Sequence, residues 1–267
     1  LFKKQNMAQE KNRMFSGVYG NAVLKVRRGK QIAVSRMAKG TMKQTEATKQ
    51  SSSKFGIVSK LSATIRSVIT PQINGFHDGG MCARMNGELV HILRAAKDPE
   101  SQHYHFSEGS FARLNGFELN IGSKFSKMMF ERPMVQLLEG KIKVSLPALQ
   151  IPVTFKFPVK SDYCKITLSL SLLRFKEGLM FPLPETQTTS FLKTDKFIPA
   201  QDFDFKVPNN CLCILSVFLD YYKFVTTGYE LVNSKIFNPA CICAAIVTPD
   251  DVYDPQKQYW LKMVKLD

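Results

Sequence analysis

The run Cys211-Leu212-Cys213-Ile214-Leu215-Ser216-Val217-Phe218-Leu219 decides the fold. Read with a period of two, Cys211, Cys213, Leu215, Val217 and Leu219 form one apolar face, and Leu212, Ile214 and Phe218 form the other. A strand apolar on both sides has no side to give to water, so it belongs at the centre of a sheet that is covered twice. Outward from it, the same grammar of short apolar runs predicts strands over 117–121, 141–146, 153–157, 164–173, 203–207, 223–226, 241–248 and 258–266. Prolines recur from Pro133 to Pro255 and exclude long helices from this part of the chain. Residues 140–267 therefore read as an antiparallel, Ig-like β-sandwich, preceded by a connecting segment at 101–139 with one short strand.

Upstream, the period lengthens. Phe55, Val58, Leu61, Ile65, Val68 and Ile69 recur at helical steps after two candidate caps, Thr41 and Thr45, and Pro71 ends the stripe. A second helix is predicted after Asp78-Gly79-Gly80, with Met81, Cys82, Met85, Leu89, Ile92, Leu93 and Ala96 as its buried side and Pro99 as its stop. Before these helices, Ala22-Val23-Leu24-Lys25-Val26-Arg27 and Lys30-Gln31-Ile32-Ala33-Val34-Ser35-Arg36 flank Arg28-Gly29, the pattern of a hairpin. We expect Leu24, Val26, Ile32 and Val34 to form one apolar strip for assembly, with the cations on the other face. The fold class is α+β, organised as a flexible basic arm at 1–16, a basic hairpin and helical module at 17–100, and then the connecting segment and the sandwich.

Charge is distributed unevenly. Of 37 Lys and Arg, 15 lie in the first 70 residues against only Glu10 and Glu46, so that segment holds +13 of the net +15. Such a field calls for an anionic partner. Lys25, Arg27, Arg28, Lys30 and Arg36 are the candidate binding residues. Aromatic residues interleaved with these cations are few, Phe15 and Tyr19, which weighs against stacking of single-stranded bases. No run approaches the roughly 18 apolar residues that span a bilayer, so no transmembrane segment is expected. The chain as written shows no export signal, and its compartment is left open.

Gly17-Val18-Tyr19-Gly20-Asn21-Ala22-Val23, the basic Arg27-Arg28-Gly29-Lys30 and Thr45-Glu46-Ala47 with Gln50 and Lys54-Phe55 resemble the N-terminal signature of an uncharacterised bacterial family, a domain of unknown function. That family joins a G-x-x-G-N-x-V hairpin and a T-E-A-x-x-Q helix to an Ig-like C-terminal domain. Asn115-Gly116-Phe117-Glu118-Leu119 and Gly140-Lys141-Ile142-Lys143-Val144 extend the likeness. The resemblance implies the same architecture and supplies no catalytic residue.

Cys211-x-Cys213 and Cys241-x-Cys243 are the sharpest chemical constellation. On adjacent strands they could meet as a four-thiolate zinc site, form disulfides in an exported protein, or pack as small hydrophobes in a central strand. The apolar setting favours packing. His103-Tyr104-His105 lacks a partner at metal spacing, and no hydrolase elbow, phosphate loop or dinucleotide fingerprint occurs. We therefore expect no catalytic residues, no metal and no cofactor. The function expected is a non-enzymatic structural or self-assembling protein, a filament, surface or virion-type component, that forms a homo-oligomer or polymer through its basic N-terminal module. The alternative is a basic protein that contacts the phosphate backbone of nucleic acid or an acidic protein surface.

Overall fold

The computed structural model describes residues 9–11, 14–27, 29–36, 45–249, 260–263 and 265. The chain divides into two compact units, Leu1–Ser52 and Ser53–Asp267. The division falls inside the first helix rather than near residue 100.

The first unit is an antiparallel meander of four strands in sequence order: β1 (Gln9–Lys11), β2 (Met14–Tyr19), β3 (Ala22–Arg27) and β4 (Lys30–Ser35). Part of the expected flexible arm is thus strand, because Glu10 pairs with Phe15 and Gln9 with Ser16. Its remaining positions, 1–8 and 12–13, lie outside the described residues, as does Arg28.

The helices are α1 (Glu46–Ile69) and α2 (Met81–Ala96). Thr45 caps α1 by accepting the Thr48 N–H at 3.2 Å. The apolar stripe of α1 begins later than expected: Phe55 is exposed, whereas Val58, Leu61, Ile65, Val68 and Ile69 are buried. On α2 the expected face is buried except for Cys82, which is only half-buried.

The second unit continues with β5 (Phe117–Glu118), β6 (Met134–Leu138), β7 (Lys141–Leu146), β8 (Leu149–Gln150), β9 (Tyr163–Arg174), β10 (Leu179–Met180) and β11 (Glu185–Leu192). It ends with β12 (Phe197–Ile198), β13 (Gln201–Lys206), β14 (Leu212–Val225), β15 (Gly228–Leu231), β16 (Ala240–Val247) and β17 (Leu261–Lys262). One sheet runs β17-β10-β9-β14-β16-β5, with β11 also on β9 and β15 also on β14; a second runs β13-β7-β6; β12 and β8 form a separate pair. All the described pairings between strands are antiparallel, as the α+β class requires.

The double-faced run occupies the middle of the larger sheet, as read from the sequence. Cys213, Leu215, Val217 and Leu219 of β14 share a core with Ile142 and Val144 of β7 and Phe205 of β13. On the opposite face, Leu212, Ile214 and Phe218 meet Leu61, Ile65, Met85 and Leu89 of the two helices. The helices therefore lie as a further layer on the larger sheet, on the side away from β7 and β13. The 101–139 segment is equally integral: Phe111, Leu114, Phe125 and Met129 are fully buried, and β5 pairs with β16. The run 153–157 is a turn with a single bridge, Met129 to Phe155, instead of the expected strand.

A polar staple joins α2 to the sheet edge. Asp78 accepts hydrogen bonds from Gly80 N–H (2.6 Å), from Ile121 N–H (3.1 Å) and from Arg84 Nη1 on both carboxylate oxygens (2.7 and 2.8 Å). Arg84 Nη2 donates in turn to the Glu118 carbonyl at 2.7 Å. Burial pushes the Asp78 carboxyl up, but the Arg84 pair and the two backbone donors outweigh it and hold the group below the ordinary carboxylate range. Because the folded carboxyl ionises at lower pH than the unfolded one, its stabilisation is present above the ordinary carboxylate range and is lost as pH falls through the folded value. Asp78→Ala should cost about 1–3 kcal/mol at neutral pH. That difference from wild type should shrink below about pH 4. Urea unfolding at a series of pH values checks this, and a difference independent of pH would refute it.

Candidate anion-binding face

The register of β3 against β4 fixes what each face carries. Arg27 lies opposite Lys30, Lys25 opposite Ile32, Val23 opposite Val34, and, on the other face, Val26 opposite Gln31 and Leu24 opposite Ala33. Directly opposed residues point to the same side of a sheet. Lys25, Arg27 and Lys30 therefore share a face with Ile32 and Val34, whereas Leu24 and Val26 point away from it. The expected single strip of Leu24, Val26, Ile32 and Val34 does not form. The physical reason is parity: a turn of two residues sets even positions of one strand against odd positions of the other.

Arg36 extends the basic face. Its N–H donates to the Asn21 carbonyl at 2.6 Å, continuing the ladder one step past Ser35, so its side chain follows Lys30, Ile32 and Val34 in alternation. The sheet thus gathers four of the five predicted cations on one side. Among the described residues none of these four side chains pairs with a carboxylate; the ion pair closest in sequence is Lys49 with Glu46, at 2.7 Å on the first turns of α1. Gly29, at φ 73°, takes the left-handed conformation that the turn beside Arg27 and Lys30 requires. On the other face, Phe15 and Tyr19 of β2 lie on the side of Leu24 and Ala22. The aromatics are therefore separated from the cations by the thickness of the sheet. Val26, Ile32 and Val34 are 45%, 40% and 46% exposed, so both faces mix polar and apolar surface.

The four cysteines of the double pair are buried in the core that the larger sheet shares with β7 and β13. Cys243 and Ala244 both point into it because the β14–β16 register slips by one residue beside Leu215, a bulge. Burial raises the thiols of Cys164, Cys213 and Cys241 far above their ordinary value and that of Cys243 to about 11. Cys82, Cys164, Cys213, Cys241 and Cys243 are free thiols. Among the described residues, no three His, Cys, Asp or Glu side chains gather as a metal site. His103 and His105 are exposed on either side of Tyr104, whose bridge to Lys97 follows α2. No described helix is long and apolar enough to cross a membrane.

No protein-family model, no curated protein and no solved structure matches this chain.

The burial of the thiols has a direct readout. In native protein at about pH 8, where an ordinary thiol begins to ionise, a thiol-reactive dye should label Cys82 and leave the five buried cysteines untouched. All six should react in denaturant. Native labelling of three or more would place the paired cysteines outside a packed core.

Proposed function

We propose that the N-terminal sheet is a cationic docking surface for the phosphate backbone of nucleic acid, carried by a non-enzymatic body. The observation that supports this is the β3–β4 register, which sets Lys25, Arg27, Lys30 and Arg36 on one face without a neutralising carboxylate among the described residues. Cations two residues apart on a strand stand about 6.8 Å apart, a row suited to a line of phosphates. Each phosphate neutralised releases condensed counterion. The aromatics lie on the opposite face, so the surface is equipped for the backbone and not for base stacking.

Charge also weighs on the choice of partner. Residues 1–52 hold 12 Lys and Arg against 2 acids, and residues 53–267 hold 25 against 20, so both units are net positive. Two copies repel each other at long range, whereas a polyanion attracts both units.

Self-assembly remains the second reading, favoured by one observation: the described edge strand β4 has six residues, with Ile32 and Val34 exposed on it. For the body, we read the sandwich as Ig-like. Taking β6, β7 and β13 as strands A, B and E, and β11, β9, β14 and β16 as C′, C, F and G, reproduces the strand neighbours of that fold.

Binding to a random-sequence DNA duplex across a salt series tests the first reading. Replacing Lys25, Arg27 and Lys30 with Ala should weaken binding for every sequence and lower the slope of log K against log salt by about 0.9 per lost phosphate contact. Unchanged affinity and slope would remove this face from phosphate binding. Sedimentation over a range of concentrations, after nuclease treatment, tests the second: polymer formation that survives the triple substitution would favour assembly over nucleic acid.

A further inference from the structure

The helical layer covers only part of its side of the large sheet. After α1 the chain makes a short turn, Thr70–Ile73, and Asn74 follows with left-handed φ 49°. Beyond this turn the sheet face opens into a cleft of about 330 Å³, bounded on one side by Pro71, Gln72 and Asn74. Its floor is written by strand register. Thr188 lies opposite Thr167, Lys165 opposite Asp220, and Tyr163 opposite Tyr222. Past the cleft the same face carries Phe224 opposite Tyr229.

These last residues form a contiguous aromatic cluster whose rings are tilted to one another. Ring centroids are 5.6 Å apart for Tyr163 and Tyr222, 5.3 Å for Tyr163 and Tyr229, and 5.0 Å for Phe224 and Tyr229. Phe224 and Tyr229 are 51% and 61% exposed. Large exposed aromatics clustered beside a polar cleft are costly to leave in water and mark a recognition surface.

The chemistry of the floor narrows the ligand. Lys165 Nζ stands 3.7 Å from Asp220, whose carboxyl is pushed up by burial and drawn partly back by that lysine. Among the described lining residues these are the only full charges, and they are opposite, so these residues offer neither a phosphate nor a cation a net attraction. What it offers is a dense mixture of hydroxyl, amide, carboxylate and ammonium groups, both donors and acceptors. A neutral ligand ringed with hydroxyls and bearing an apolar C–H face matches both halves of this surface. A pyranose has that form: its C–H face lies on aromatic rings while its hydroxyls reach polar side chains. We propose that this face binds neutral polysaccharide, with one sugar held in the cleft at Asp220, Lys165 and Thr188 and the neighbouring sugars stacked on Tyr222, Tyr229 and Phe224.

The site binds without cleaving. Glycoside hydrolysis by the common route needs two carboxyl groups flanking the bond, and among the described residues Asp220 is the only carboxylate that lines the cleft. This inference is independent of the N-terminal cationic face, since every residue in it belongs to the second unit.

Affinity electrophoresis of the full chain in gels containing neutral polysaccharides of differing linkage (starch, β-glucan, xylan, mannan) is the test, run with and without about 0.5 M salt to shrink the Debye length to roughly 4 Å. At least one polysaccharide should retard the protein equally at both salt levels. Phe224→Ala with Tyr229→Ala, both at exposed positions, should weaken that retardation about tenfold with an unchanged unfolding midpoint, and Asp220→Asn should weaken it separately. Three results overturn the proposal: no retardation by any neutral polymer, retardation that both variants retain, or retention only by single-stranded DNA that salt abolishes.

Discussion

The structure depends on the burial of one strand on two sides. β14 gives alternate side chains to two different cores, Cys213 and Leu215 to the one shared with β7 and β13 and Ile214 and Phe218 to the one shared with the helices. Neither layer could be removed without exposing half of this strand to water, at roughly 25 cal/mol for each Å² of apolar surface. β9 repeats the arrangement in a weaker form. Its sandwich side is Ile166, Leu168 and Leu170, but its helix side is Thr167, Ser169 and Ser171, all buried. Small hydroxyl side chains there leave room for a helix to approach, and Ser62 of α1 is itself fully buried.

The same asymmetry accounts for the open surface. Where the helix side of β14 turns from Phe218 to Asp220, the apolar reward for a covering helix ends, and the chain leaves α1 at Pro71. The strand pairs continue past that point, so the sheet presents a polar and aromatic face that nothing in the helical layer covers. Layer and opening come from one change in side-chain chemistry along one strand.

Much of this was legible in the sequence. The double apolar pattern of 211–219 located the central strand, Thr45, one of two candidate caps, and Pro71 bounded the first helix, and Asp78-Gly79-Gly80 marked the start of the second. The three-layer arrangement was not, because an apolar helix face does not say which surface it covers; the shared core and the Asp78–Arg84 staple to β5 bring the helices to the sheet. β11, reading Glu185-Thr186-Gln187-Thr188-Thr189-Ser190, was missed for lack of apolar alternation, since it is held by its ladder to β9. The hairpin faces were misread although the turn was identified, and counting parity across Arg28-Gly29 recovers them from the sequence alone. The cleft and its aromatic cluster draw on segments near 71, 165, 187, 220 and 229, a convergence that no local motif records.

None of the described side chains from Met14 to Arg36 is buried. The ladder of hydrogen bonds sets the shape of the N-terminal sheet, yet burial, the dominant favourable term in folding, is scarcely used there. If the sheet binds the polyanion proposed above, mass action adds to its order. A partner present at a hundred times its dissociation constant adds about 2.7 kcal/mol, on the scale of everything such a small sheet can supply for itself. On that proposal, how firmly it is folded becomes a property of the partner's concentration as much as of its own sequence.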